Sequence, residues 1–97
     1  MKVTSNWTSG YTAEVTITNS GTTAINGWTL DFDLPATIVN IWNGEISKKT
    51  GNRYTIRNLS YNGTIQPGQS VTFGFQATGT GSAARTISNV LLNGRSV

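Results

Sequence analysis

The sequence predicts an all-β protein folded as an antiparallel two-sheet β-sandwich. Three observations lead there. Apolar and polar residues alternate with a period of two in one segment after another. Gly, Asn and Pro dipeptides punctuate those segments at short intervals. Roughly a third of the chain is Ser, Thr or Asn, and Thr favours strands while Asn favours turns. No stretch carries a helical apolar period. The chain has 97 residues, enough for one domain with one modest core, so residues 1–97 read as a single module without linker or repeat.

The elements follow in order. A short first strand precedes Trp7. In YTAEVTIT, Tyr11, Ala13, Val15 and Ile17 share one face and Thr12, Glu14, Thr16 and Thr18 the other, the pattern of a half-buried antiparallel strand. The turn residues NSG end it. GWTLDFDLP points Trp28, Leu30, Phe32 and Leu34 one way, with Thr29, Asp31 and Asp33 the other, and Pro35 stops the strand. In TIVNIW, alternation puts Val39 and Ile41 inside and Asn40 and Trp42 outside. RYTIR buries Tyr54 and Ile56. SVTFGFQ buries Val71, Phe73 and Phe75 and turns Ser70, Thr72, Gly74 and Gln76 outward. TGTGSAA, residues 78–84, reads as a flexible connection, and TISNVLLNG as a closing strand that ends at Asn93-Gly94. Seven or so short strands of this kind suit a sandwich.

Composition excludes several classes of function. Cysteine and histidine are both absent, which removes disulfides, thiolate metal sites and the commonest general base. Only 11% of residues are charged, and the net charge of +3 comes from scattered Lys and Arg rather than a basic stripe, so no nucleic-acid partner is expected. No apolar run approaches the roughly 20 residues that span a bilayer, so no membrane partner is expected either. Met1 leads straight into polar and β-branched residues with no secretory leader, and the chain reads as a fragment.

The nine aromatics fall into two groups. Tyr11, Trp28, Phe32, Tyr54, Phe73 and Phe75 are in phase with an inner face and are expected in the core. Trp7 lies in NWTSG before a turn, Trp42 shares the outward face with Asn40, and Tyr61 sits in the turn-rich stretch NLSYNGTIQPG. One exposed aromatic is ordinary, and a loop aromatic can plug the end of a sandwich. Three misfits, two of them tryptophans, point to a binding surface. Rings with few charges around them suit sugar: a β-linked pyranose has an apolar face of axial C–H groups and an edge of hydroxyls. Covering about 100 Å² of ring face contributes roughly 2.5 kcal/mol at ~25 cal/mol per Å² before ordering costs, so several rings are needed.

NWTSGYTAEVTITNSG, INGWTLDFDLP, IW, NLSYNGTIQPGQSVTFGF and a final LNG, in that order, resemble a family 2 carbohydrate-binding module, the cellulose-binding type attached to bacterial cellulases and xylanases. The resemblance covers nearly the whole chain. It implies nine or so antiparallel strands in an immunoglobulin-like outline, with three exposed aromatics in a nearly flat row at Trp7, Trp42 and Tyr61. It implies an internal tryptophan at Trp28 and polar residues beside the row at Glu14, Asn40, Thr72 and Gln76. Gly10 stands where the xylan-binding branch has an arginine that turns the first ring, which implies the cellulose-binding branch. Tyr61 replaces the family's usual tryptophan, and the disulfide that often ties the two ends is missing.

Chemistry is not expected. Asp31 and Asp33 lie about 7 Å apart on one strand, within the ~6.5–9.5 Å of inverting glycosidases. They share one outward face, however, and cannot flank a sugar. The same pair makes a poor calcium site, so neither metal nor cofactor is expected. Sequons at Asn6, Asn58 and Asn62 arise readily in a chain this rich in Asn and Thr. The expected protein is therefore a secreted, monomeric, non-catalytic module that binds insoluble cellulose and carries a covalently linked catalytic domain to it. Chitin on the same rings is the near alternative. An immunoglobulin-like structural or adhesion domain, using the aromatics and apolar neighbours such as Leu59 and Ile65 as a protein interface, is the alternative of a different class.

Overall fold

The computed structural model describes residues 1–79 and 86–96. The connection expected at 78–84 falls mostly outside them. The described strands are β1 (Lys2–Trp7), β2 (Gly10–Thr18), β3 (Ile25–Asn26), β4 (Thr29–Asp33), β5 (Thr37–Trp42), β6 (Glu45–Thr50), β7 (Arg53–Arg57), β8 (Thr64–Ile65), β9 (Ser70–Thr78), β10 (Ser88–Leu92) and β11 (Arg95–Ser96). They form a four-stranded sheet in the order β1-β2-β9-β5, a five-stranded sheet in the order β11-β10-β4-β7-β6, and a two-stranded bridge, β3-β8. Every pairing is antiparallel. The two main sheets bury their inner faces against each other, as expected for a sandwich. Asn93-Gly94, both at positive φ, makes the two-residue turn between β10 and β11, so the chain doubles back once more where the sequence suggested an end.

The core follows the period-two pattern. All six aromatics expected inside are buried, together with Ala13, Val15, Ile17, Leu30, Leu34, Ile56, Ile65 and Ala77. Their rings pack in a connected set. Trp28 stacks on Phe73 with centroids 5.8 Å apart, Phe32 stacks on Tyr54 and Phe75, and Tyr11 meets Phe75 edge-on. The chain crosses between sheets at Pro35-Ala36, and buried Tyr54 fastens that crossing. Its hydroxyl donates to the Ala36 carbonyl at 2.9 Å and accepts from the Ile38 amide at 3.2 Å.

Strand β5 corrects one expectation. Val39 is exposed (49%), whereas Ile38 and Ile41 are the half-buried pair packed on the core. Strict alternation cannot place residues three apart on one face. The register against β9 slips between Ile38 and Asn40, so Val39 is the extra residue of a β-bulge. The bulge turns Val39 outward and keeps Asn40 and Trp42 outward as expected.

Asn19 is the one buried polar residue among those described. Its amide donates to the Thr23 and Ile65 carbonyls, both at 2.9 Å, and its side-chain oxygen accepts from the Gly21 amide at 3.0 Å. Its backbone exchanges bonds with the 68–69 turn. The side chain thereby ties β2, the 20–24 turn and β8 together. Asn19→Ala orphans these partners and should cost about 2 kcal/mol, a fall of roughly 8–16 °C in melting temperature readable by calorimetry.

On the outer face of the second sheet, Asp33 accepts from Asn89 Nδ2 at 2.6 Å and from Arg53 at 3.3 Å. The Asn89 bond, aided by Arg53, holds its carboxyl below the usual carboxylate range against a smaller opposing effect of burial. A depressed pKa means the stabilisation is present above the ordinary carboxylate pKa and fades as pH falls through the folded value. NMR titration of the carboxyl carbons should find Asp33 titrating below its ordinary value, and Asn89→Ala should move it upward.

Candidate functional site

The outward face of the four-stranded sheet carries Trp7, Trp42, Glu14, Asn40, Thr72 and Gln76. Residues directly opposite in antiparallel strands share a face. One row therefore runs Trp7, Gly10, Thr78, Thr37; the next runs Ser5, Thr12, Gln76, Asn40; the third runs Lys2, Glu14, Gly74, Trp42. The rows of Trp7 and Trp42 are four residues apart along β2, about 14 Å at ~3.4 Å per residue. Both indoles are partly exposed, Trp7 at 40% and Trp42 at 42%. They come from the two edge strands, β1 and β5.

Each indole rests on a glycine of the adjoining inner strand. A Cβ built on Gly74 would lie 2.3 Å from Trp42 Nε1, 2.5 Å from Cε2 and 2.6 Å from Cζ2. The indole therefore occupies the space that any side chain at 74 would need, and Gly74 is buried beneath it although its position faces outward. A Cβ on Gly10 would meet the Ala77 carbonyl oxygen at 2.5 Å and Trp7 Nε1 at 3.2 Å. Gly10 thus allows both the close approach of β9 and the resting place of Trp7.

Tyr61 lies on the loop between β7 and β8 and is 70% exposed. The loop hangs from the core. Buried Trp28 donates its indole N–H to the Asn62 carbonyl at 2.8 Å, and its backbone amide donates to Asn58 Oδ1 at 2.9 Å. Asn62 Oδ1 accepts from the Leu59 amide at 2.8 Å and closes the loop on itself. Its Nδ2 donates to the Asn43 carbonyl at 2.7 Å, while the Tyr61 hydroxyl donates to Asn43 Oδ1 at 2.9 Å. Gly63 is required inside this loop, because a Cβ there would lie 2.6 Å from Asn58 Nδ2.

The four polar residues of interest share the face with the indoles. Asn40 Nδ2 reaches Gln76 Oε1 at 3.5 Å, Thr72 exchanges a 3.1 Å hydroxyl contact with Thr16, and Glu14 stands exposed beside Gly74. Sequence reasoning missed Asn43 and the seat at Gly74. The positive φ of Asn43, 59°, had a signal in the Asn-Gly dipeptide at 43–44; nothing local marked Gly74. The other acids lie on the opposite sheet: Asp31 accepts from Thr55, Asp33 from Arg53 and Asn89, and Glu45 pairs with Arg57 at 3.1 Å. They do not converge with Glu14 on any common point. Among the described residues no group of His, Cys, Asp or Glu is placed to hold a metal. Asn58 and Asn62 have their amides engaged, so glycans there would break the loop that carries Tyr61.

A β-sandwich with exposed rings on a polar, weakly charged sheet is the architecture of a binding module. The family described as cellulose binding domain matches residues 1–97, and the chain belongs to it, as a family 2 carbohydrate-binding module. The domain is a non-catalytic binder of polysaccharide. It is 46% identical over 84% of its length to endo-1,4-beta-xylanase A of Cellvibrio japonicus and 43% identical over 84% to endoglucanase A of Thermobispora bispora. It spans only 13% and 18% of those proteins. Among solved structures, the chitin-binding domain of Chi18aC from Streptomyces coelicolor is 38% identical, with a TM-score of 0.76 over 97% of this chain and 87% of that one.

The seat at Gly74 has a direct test. Gly74→Ala should displace the Trp42 indole while leaving the sandwich folded. The Trp42 indole N–H resonance should shift, and that of buried Trp28 should stay in place. A Trp42 signal unchanged by the new methyl would mean that the ring does not rest there.

Proposed function

We propose that the domain binds the flat surface of an insoluble β-1,4-glucan, cellulose first, by stacking sugar rings on Trp7, Trp42 and Tyr61. The observation that supports this reading is the exposure of three rings, with Trp7 and Trp42 in rows four residues apart on one face and the Tyr61 hydroxyl bonded to Asn43, the residue after Trp42. Two are seated on the sheet and the third is tied to it. Glu14, Asn40, Thr72 and Gln76 supply donors and acceptors between and beside the rings for the equatorial hydroxyls. A β-1,4 chain presents its apolar ring faces in one plane, so a row of platforms gathers several contacts that are each weak. In the parent protein the module, residues 1–97, acts as a monomer outside the cell. It raises the concentration of a linked glycoside hydrolase at the solid surface.

Chitin is the second reading, favoured by the 38% identity to the chitin-binding domain. It shares the flat β-1,4 geometry and would use the same rings. A protein interface is disfavoured. Ile65 is buried in the core (1%) and Leu59 is half-buried, so neither gives the rings the apolar neighbour that an interface needs, and Val39 is the exposed aliphatic residue of β5 among Thr37, Asn40 and Trp42.

Depletion of the protein from solution by microcrystalline cellulose, with chitin beside it, tests both. Trp42→Ala should weaken binding about 10-fold, the loss of one stacking contact of ~1.4 kcal/mol after ordering costs. Depletion by chitin alone keeps the rings and changes the substrate. A Trp42→Ala protein that binds as the wild type does, or a wild type removed by neither solid, refutes the stacking face.

A further inference from the structure

Resting on that reading, we propose that Asn43 is a positioning residue that sets the third ring in register with the second. Trp7 and Trp42 are held by what lies beneath them, Gly10 and Gly74. Tyr61 is far more exposed and has no such seat. Its ring is held instead at its far end, where the hydroxyl donates to Asn43 Oδ1 at 2.9 Å. Asn43 immediately follows Trp42 in the chain, so the two rings are joined through a single residue. A second bond fixes the same residue from the same loop, with Asn62 Nδ2 donating to the Asn43 carbonyl at 2.7 Å.

The backbone of Asn43 makes this possible. It lies at φ 59°, a region that asparagine enters more readily than other non-glycine residues. The conformation ends β5 immediately after Trp42 and leaves Oδ1 and the carbonyl oxygen accepting from neighbouring residues of one loop. An exposed tyrosine otherwise samples several rotamers and must give up that freedom on stacking. The Asn43 bond removes the freedom beforehand. With its proton committed to Asn43, the Tyr61 hydroxyl does not donate to sugar, and the ring face makes the contact.

A double-mutant cycle on the whole domain tests the assignment. Asn43→Gly keeps the positive-φ backbone and removes only the acceptor, and Tyr61→Phe removes only the donor. Each should weaken cellulose binding about 3- to 10-fold, and the double variant no further than either single one. Asn43→Asp, which tolerates the same φ and restores an acceptor, should recover binding. In the free protein, side-chain coupling constants should report one χ1 rotamer for Tyr61 in the wild type and in Asn43→Asp, and rotamer averaging in Asn43→Gly. A merely structural role would not produce this rescue and averaging together.

Wild-type binding by Asn43→Gly, or losses that multiply in the double variant, overturns the proposal while Trp42→Ala still reports on the stacking face. A single Tyr61 rotamer in Asn43→Gly overturns it without any ligand. Loss on Tyr61→Phe alone would mean that the hydroxyl bonds sugar directly, which also overturns it. If Trp42→Ala binds as the wild type, the stacking face itself fails, and the Asn43 assignment falls with it.

Discussion

The hydrogen bond from the Trp28 indole to the Asn62 carbonyl links the core of this protein to its outer face. Trp28 is buried because its strand alternates, and a buried indole N–H must find an acceptor. Here the acceptor lies in a loop rather than in a strand. One polar atom of the core thereby fixes the path of residues 58–63, with Asn58 and Asn62 completing the closure. An exposed loop of this length would ordinarily move relative to the sheet. This one is bonded to the core on one side and to Asn43 on the other, so Tyr61 inherits its position from both.

The two tryptophans are placed by a different device. Each projects from an edge strand and lies inward over a glycine of its neighbour. Two consequences follow from the same geometry. The indoles lie on the sheet, supported from beneath, which limits the freedom they would have to lose in the proposed stacking. The glycines are covered, which restores some of the packing that a strand gives up at a residue without a side chain. Glycine within a strand weakens it, and here that cost is offset by the ring that occupies the vacant space.

Most of the sandwich was legible because it is written in alternation. Trp28 through Leu34, Tyr54 with Ile56, and Phe73 with Phe75 read correctly from period two alone. Val39 did not, since a bulge breaks the period and leaves no local mark; the two half-buried isoleucines at 38 and 41 reveal it only when their three-residue spacing meets the register of β9. The exposed aromatics were legible as residues that fitted no inner face. Their supports were not. Gly74 reads as one outward position among several in SVTFGFQ, and what it carries comes from a strand more than 30 residues away in sequence. The Asn43–Tyr61 bond spans 18 residues and depends on a turn conformation and a loop path that no single segment encodes.

The low charge of the chain acquires a physical meaning on this surface. On the proposed stacking face each ring would contribute a contact of modest strength, so affinity for a solid would have to come from several contacts made at once. Simultaneous contact is favoured when the platforms are already in place and the ground between them is neither strongly charged nor apolar. Charges would hold water that stacking must displace, and an apolar surround would invite other proteins. Amides and hydroxyls avoid both. The outward face of the four-stranded sheet is built largely of such groups around Trp7 and Trp42, with Lys2, Glu14 and the outward Val39 among them, and Tyr61 stands on the β7–β8 loop. Three of the four acids, Asp31, Asp33 and Glu45, lie on the other sheet, where Thr55, Arg53 and Arg57 engage them. The division of labour between the two outer faces is therefore chemical: one carries the paired charges, and the other is left polar, weakly charged and studded with rings.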